Sequence, residues 1–319
     1  MDTISVDFGG TFIKIGLIRD GHVADFTDTP SYSGKGLTPR LAVVETIVAE
    51  LLEKNAMTAG ELNGIGIAIP GLVDATEKRV LSTNAKYNDA INFSFTRWVD
   101  KTFNVPFIIE NDARAALAGE VFHGGAQGSE DAVMMIFGTG IGTAAMINGQ
   151  LLRGKHHQAG VLGGHFITDH AGYMCTCGNK GCVEAQASNW SLPIVARERA
   201  GFNKSRLADA DHVDYKSVVE NARAGDDFSE SFLEDLIEHW AAGLTNLVHA
   251  YDPSTVILSG GLMKSKDYLL PKIKARVLER TWTPWGQPEF LAAEKPEHSV
   301  LLGLHHLTVT EYRKTKGVL

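Results

Sequence analysis

Ile4-Ser5-Val6-Asp7-Phe8-Gly9-Gly10-Thr11-Phe12-Ile13-Lys14-Ile15-Gly16-Leu17-Ile18 places two alternating apolar runs on either side of a glycine pair. Period-two alternation around a tight turn predicts two antiparallel strands. A further turn at Arg19-Asp20-Gly21-His22 leads into a third short strand, so the chain opens as a β-meander. The pattern then returns. Val133-Met134-Met135-Ile136-Phe137-Gly138-Thr139-Gly140-Ile141-Gly142-Thr143-Ala144-Ala145-Met146-Ile147 again reads strand, glycine turn, strand, and Asn148-Gly149 makes a hairpin turn after it. The copies begin about 130 residues apart, too far for a solenoid repeat. They predict an α/β chain built from a duplicated lobe, each half carrying a glycine-rich hairpin toward a shared cleft.

The rest of the chain fits two such halves. A helix is expected over 41–54, with Val44, Ile47, Val48, Leu51 and Leu52 on its apolar face. A buried strand over 64–69 ends at Pro70-Gly71, a strand spans 105–109, and a helix spans 113–122. A long helix over 228–250 aligns Phe232, Leu236, Ile237, Trp240, Leu244, Leu247 and Val248. A strand over 255–258 ends at Ser259-Gly260-Gly261, and a final helix covers about 299–312.

Composition narrows the class. The 319 residues are 44% apolar and 21% charged, as in an ordinary globular chain long enough for two domains or one duplicated domain. The net charge of -8 argues against the basic stripe of a nucleic-acid binder. No apolar run approaches the roughly 18 residues that span a bilayer, and the acidic start Met1-Asp2-Thr3 lacks a secretory pattern. Three clustered cysteines suit a reducing compartment and a metal. The expectation is a cytoplasmic protein without nucleic-acid or membrane partners.

Four groups of residues carry chemistry. Backbone amides approach a polyphosphate closely where side chains are absent, so Gly9-Gly10-Thr11 and Gly138-Thr139-Gly140 both suit phosphate oxygens. Either turn alone reads equally well as a plain hairpin; two in matching positions weaken that reading. Asp7, just before the first turn, could orient Mg²⁺ through water. Glu110-Asn111-Asp112 lies where a strand meets a helix, the end at which α/β proteins bind ligands. Asp112 there is either a helix N-cap, the commoner use, or a general base taking the proton of an attacking hydroxyl. All three cysteines fall within Cys175-Thr176-Cys177-Gly178-Asn179-Lys180-Gly181-Cys182, and with His165 they supply a tetrahedral Zn²⁺ set of the structural kind. Glu184, two residues on, suits paired sugar hydroxyls, or else is a first-turn helix acid favoured by the dipole. Ser259-Gly260-Gly261 opens a loop on which a nucleotide base or ribose can lie against backbone.

In this order, Asp7-Phe8-Gly9-Gly10-Thr11, Pro70-Gly71-Leu72-Val73-Asp74, Glu110-Asn111-Asp112, Gly138-Thr139-Gly140-Ile141-Gly142, Cys175-x-Cys177-Gly-x-x-Gly-Cys182-x-Glu184 and Leu258-Ser259-Gly260-Gly261, the chain resembles the ROK family of repressors, open reading frames and sugar kinases. The resemblance covers nearly the whole chain, and the cysteine motif is its most specific part. It implies a duplicated ribonuclease-H-like fold of the actin and hexokinase type, two-lobed with a central cleft. The first lobe would hold residues 1–115, completed by a C-terminal helix over about 298–319; the second would hold 116–297 with the zinc loop.

The resemblance also implies ATP-dependent transfer of the γ-phosphate to a hexose, with Asp112 as general base. Asn84, Asn111, Asp112, His165 and Glu184 would bind sugar hydroxyls. Asp7, Gly9, Gly10, Thr11, Lys14, Gly138, Thr139, Gly140, Gly260 and Gly261 would hold ATP and Mg²⁺. His165, Cys175, Cys177 and Cys182 would hold structural zinc, and a homodimer is expected. The 6-hydroxyl of glucose is the default acceptor, ahead of fructose, mannose, N-acetylmannosamine and N-acetylglucosamine. A non-catalytic sugar-binding regulator is the rival reading. The family's regulators carry a DNA-binding segment before the core, and here the phosphate motif already begins at Asp7.

One stretch departs from the family. Its sugar site usually reads Ala-Gly-Glu-x-Gly-His, whereas this chain has Ala159-Gly160-Val161-Leu162-Gly163-Gly164-His165. Val161 or Leu162 stands where the glutamate is expected, so a carboxylate for the C1–C2 side of the sugar is missing. Gln158, His156 and His157 are the nearby candidates to replace it.

Overall fold

The computed structural model describes residues 1–317 and divides into two units. In the first, β1 (Asp2–Phe8), β2 (Phe12–Arg19) and β3 (His22–Pro30) form the expected antiparallel meander, with Asp7 opposite Lys14. β4 (Gly64–Ile69) adds parallel to β1. A small hairpin of β5 (Leu72–Asp74) and β6 (Arg79–Ser82) follows, and β7 (Phe107–Asn111) then adds parallel to β4. The strand order is β3-β2-β1-β4-β7.

The strand expected over 105–109 is thus displaced to Phe107–Asn111. Pro106 has no N–H to give the ladder, so pairing starts one residue later, while the Pro106 carbonyl accepts from Ile65 N at 2.9 Å. The shift keeps Glu110 and Asn111 inside the strand.

One face of this sheet buries Ile4, Val6 and Phe8 with Leu41, Val44, Val48, Leu51 and Leu52 of the helix Thr38–Lys54. On the other face lies the C-terminal helix Pro296–Thr315, where the Ser5 hydroxyl donates to the Leu301 carbonyl at 2.8 Å. The helix Asp112–His123 packs along the C-terminal helix. Gly119 and Gly303 let the two backbones touch; a β-carbon on either would overlap the neighbouring main chain. This pairing draws the first unit beyond the expected limit at 115. The unit comprises Met1–Gly128, Arg153–Ala159 and the segment from Glu294 onward. Of the expected C-terminal helix, Val318 and Leu319 lie outside the described residues.

The second unit, Ser129–Leu152 with Gly160–Ala293, repeats the plan. β8 (Ala132–Phe137), β9 (Ile141–Ile147) and β10 (Gln150–Leu151) form an antiparallel meander; β11 (Thr255–Gly260) adds parallel to β8, and β12 (Glu289–Ala292) adds parallel to β11. The order β10-β9-β8-β11-β12 matches the first sheet strand for strand, so the duplication read from the glycine hairpins holds for whole sheets. The long helix Asp227–Tyr251 buries all seven of its predicted apolar residues. Among the described residues no helix is long and apolar enough to cross a membrane.

Candidate functional site

In the first unit the polar residues gather at the carboxyl ends of parallel strands. Asp7 near the end of β1 pairs in register with Ala68 on β4, and Ala68 with Glu110 on β7. Asp7 is buried, and its Oδ2 meets Lys14 Nζ at 3.4 Å. Its Oδ1 is buried without a hydrogen-bond partner. Burial pushes the Asp7 carboxyl up to about 6 against the pull of Lys14, and the nearby Asp112 charge adds to the rise.

The N-cap of the helix Asp112–His123 is Asn111, whose side-chain oxygen accepts from Arg114 N at 3.1 Å. The capping use expected as the commoner role of Asp112 therefore falls to its neighbour. Asp112 Oδ1 accepts from Ala113 N and from Asn111 Nδ2, both at 2.9 Å, and Asn111 Nδ2 also donates to the Gly71 carbonyl at 3.0 Å. The Asp112 carboxylate is held in one orientation. Burial pushes its pKa upward, opposed chiefly by Lys86, then by the Ala113 N–H and Lys14.

Glu110 performs a different task. Buried, it accepts from Arg153 Nε at 3.0 Å and lies 3.6 Å from Arg114 Nη1. Arg114, fully buried, donates through Nη2 to the carbonyls of His157 and Ala159, each at 2.9 Å. The network fastens segment 153–159 to the first unit. His157 Nε2 lies 3.4 Å from Asp74 Oδ1, so this candidate replacement for the missing glutamate already faces a carboxylate. His156 and Gln158 are exposed.

In the second unit the glycine turn is held from below. Glu184 is 8% exposed, which excludes the solvated first-turn role. Its Oε2 accepts from Ile141 N at 2.8 Å and its Oε1 from Trp190 Nε1 at 3.3 Å, while Trp190 N donates to the Thr139 carbonyl at 3.0 Å. A β-carbon on Gly140 would meet the Glu184 carboxylate and force it from its present position. Gly260 ends β11, and the exposed Gly261 opens the 3-10 turn Gly261–Ser265, whose Leu262 and Met263 are buried.

His165, Cys175, Cys177 and Cys182 come together, with one donor atom from each lying within 4.8 Å of the others. His165 Nδ1 and Cys175 Sγ are 3.5 Å apart; Cys177 Sγ and Cys182 Sγ are 3.6 Å apart. Ligands at about 2.3 Å from a tetrahedral Zn²⁺ stand about 3.7 Å from one another, so this donor set fits the ion. Cys182 also precedes the short helix Val183–Ala187 as its N-cap residue, which puts Glu184 in the first turn beside the cluster.

The altered stretch before His165 is tied to β9. Thr143 Oγ1 donates to the Gly160 carbonyl at 2.7 Å and accepts from Gly163 N at 2.8 Å. Leu162 is 38% exposed, and neither it nor Val161 supplies a carboxylate. Asn84 is exposed in the loop after β6 and makes an interaction of its own.

Several residues escaped the sequence reading. Arg153 shows no spacing signal, because its partner Glu110 is brought near it only by folding; Arg114 stands four residues from Glu110, but across a strand-to-helix junction where that spacing does not mark a helix face. Trp190 and Thr143 read as ordinary core and strand residues. Lys86 stands two residues from Asn84, yet only the folded loop places it beside Gly10.

The chain is 30% identical over 315 residues to a glucokinase of Streptomyces coelicolor, covering 94% of this chain and 95% of that relative. It is 30% identical over 252 residues to a xylose repressor of Bacillus spizizenii, covering 79% of this chain but 62% of the repressor's length. The crystal structure of a ROK family glucokinase from Streptomyces griseus in complex with glucose and AMPPNP superposes with a TM-score of 0.79 at 27% identity, covering 96% of this chain and 99% of that one. The likeness carries the expected fold class, a duplicated α/β fold of the actin and hexokinase type. The ROK family profile matches residues 3–311, and with that match spanning the paired sheets, both glycine turns and the cysteine cluster, the chain belongs to the ROK family.

Proposed function

We propose that the protein is an ATP-dependent hexose kinase, with Asp112 as general base and the 6-hydroxyl of glucose as the first acceptor. The observation that carries this reading is the division of labour at 111–112. Asn111 caps the helix, so Asp112 is released from that duty while its carboxylate is held by two hydrogen bonds to Oδ1. In the proposed step Asp112 Oδ2 takes the proton of the attacking sugar hydroxyl. A bond forms from that oxygen to the γ-phosphorus, the bond from γ-phosphorus to the bridging oxygen breaks, and ADP leaves with the electron pair.

Asn84, Asn111, His165 and Glu184 are assigned to the other sugar hydroxyls. Glu184 keeps free lone pairs after its two hydrogen bonds, since an ionised carboxylate offers about four acceptor positions. The turns Gly9-Gly10-Thr11 and Gly138-Thr139-Gly140, with Lys14, are assigned to the phosphates, and Gly260-Gly261 to the nucleoside. The partnerless Oδ1 of Asp7 suits a water of a Mg²⁺ ion, which neutralises charge on the phosphate oxygens when bound. Zinc is assigned a structural role, and the protein is proposed to act in the cytoplasm as a homodimer.

Similarity to glucokinases supports the reaction class; the absent glutamate leaves the C1–C2 side open to another hexose. The test is ADP release with MgATP across glucose, fructose, mannose, N-acetylmannosamine and N-acetylglucosamine. No release above background with any of them overturns the kinase reading. The similarity to a xylose repressor favours a second reading, a sugar-binding regulator. Calorimetric sugar binding without turnover would select it.

A further inference from the structure

Lys86 sits on the loop between β6 and the 3-10 turn Asn88–Asn92, half-buried. Its Nζ stands 2.9 Å from where a β-carbon on Gly10 would be, so the ammonium lies directly on the first glycine turn. The neighbours of Lys86 are pinned. Tyr87 is fully buried, packs edge-on against Phe8 and donates its hydroxyl to the Gly9 carbonyl at 2.9 Å. Asp89 accepts from Leu37 N and Thr38 N at 2.6 and 2.9 Å. These contacts fix the loop immediately after Lys86.

Charge balance gives that position a meaning. Two carboxylates, Asp7 and Asp112, and two lysines, Lys14 and Lys86, face this corner of the first unit. Lys14 is paired with Asp7, but no ion pair among the described residues includes Lys86. An ammonium without an ion-pair partner, set against a turn of glycines, is a site for a highly charged anion. Its removal would leave excess negative charge where a polyanion has to bind.

We propose that Lys86 binds the transferring phosphoryl group of the nucleotide and offsets the charge that develops on it. The proposal rests on the kinase reading and adds a catalytic residue to it. Lys86 keeps its protons and its charge throughout. The proton that moves is the acceptor hydroxyl's, which goes to Asp112, and the bond that breaks is the one from γ-phosphorus to the bridging oxygen of ADP. Lys86 also opposes the upward push of burial on Asp112, so it acts on base and phosphoryl group together.

The test compares Lys86→Met and Lys86→Arg with the wild type. Binding of MgADP and of magnesium AMPPNP is measured by calorimetry, without any sugar. Lys86→Met should weaken AMPPNP at least tenfold and leave MgADP within about twofold, and Lys86→Arg should restore most of the difference. With an accepted sugar, Lys86→Met should lower kcat by about 10²-fold, the scale of losing one charge-stabilising donor. Sugar KM should hold within about twofold, and the acidic limb of kcat should move to higher pH. Equal loss of both nucleotides, or an unchanged ratio between them, overturns the proposal; so does an unmoved acidic limb. If Lys86→Met does not fold, Lys86→Gln replaces it with the same expectations. Should no sugar be phosphorylated, the kinase reading fails by itself, and the ratio of the two nucleotides still decides Lys86.

Discussion

Glu184, two residues after Cys182, the last cysteine of the cluster, accepts the backbone N–H of Ile141 at 2.8 Å. One side chain thereby joins the cysteine cluster to the turn Gly138-Thr139-Gly140. Glu184→Ala strands a buried N–H at Ile141 and the indole N–H of Trp190. The expected cost is about 1–3 kcal/mol, read as a lower thermal midpoint, with weaker nucleotide binding alongside. Glu184→Gln keeps a carbonyl acceptor and should lose less. An alanine variant as stable as the wild type would show that the latch carries no weight.

Asn111 and Asp112 should separate stability from turnover. Asn111→Ala removes the cap and should cost about 1 kcal/mol in denaturant unfolding. Asp112→Asn should not lower stability, since burial already opposes its charge, yet it should reduce ADP release by about 10²–10⁴-fold. Near-normal turnover in Asp112→Asn would refute the base assignment.

Metal analysis of freshly purified protein should find about one Zn²⁺ per chain. Cys177→Ser should lower both zinc content and the thermal midpoint, because structural zinc contributes folding energy directly. Burial raises the thiols of Cys175 and Cys182. A bound dication must displace those protons, so zinc retention should fall as pH drops. Protein that contains no zinc and is indifferent to chelators would contradict the site.

Asp7 should be a stability cost. Its carboxyl ionises near the ordinary 3.8 in the unfolded chain and at about 6 in the fold. Between those values the unfolded state loses its proton first, so the folded state is penalised as pH rises, by up to about 3 kcal/mol above pH 6. Asp7→Asn should therefore unfold at a higher temperature than the wild type at pH 7, and the gap should close below about pH 4. The same change should abolish magnesium-dependent turnover. A variant less stable at pH 7 would reverse the sign and defeat the argument.

His305 predicts the acid limit. Gly21 N donates to its Nε2 at 3.1 Å, so the ring proton sits on Nδ1 toward Thr3 Oγ1 at 2.8 Å. Burial, with His123 nearby, lowers its pKa to about 4; burial does the same for His306. The unfolded histidines take protons from about pH 6.5 downward, so stability should be lost progressively between that pH and 4. Thermal midpoints measured from pH 7.5 to 4.5 should show the slope, and His305→Gln should flatten it. Parallel slopes in the two proteins would exclude His305 as a source.

Local residue order carried much of this. The alternation around Gly9-Gly10 and Gly138-Gly140 marks paired strands because period-two patterning and glycine turns act over a few residues. The cysteine spacing marks a set of donors that could hold a metal because three thiols within eight residues can close on one ion, and His165 joins them in the fold. The long helix was legible from its seven apolar positions. Pro106 displaces one strand from 105–109 by a rule that is also written locally.

Sequence alone determined the duplicated meander, the clustering of the three cysteines and the family's order of motifs, since each depends on neighbours along the chain. Tertiary structure decided which polar groups are already engaged. It gave the cap to Asn111 and left Asp112 free of that role, joined Glu184 to Ile141, locked Glu110 onto Arg114 and Arg153, and set Lys86 over Gly10. The reason is that hydrogen bonding, burial and charge depend on distance in space. Contacts across 43 positions, such as Glu110 with Arg153, leave no period or spacing to read.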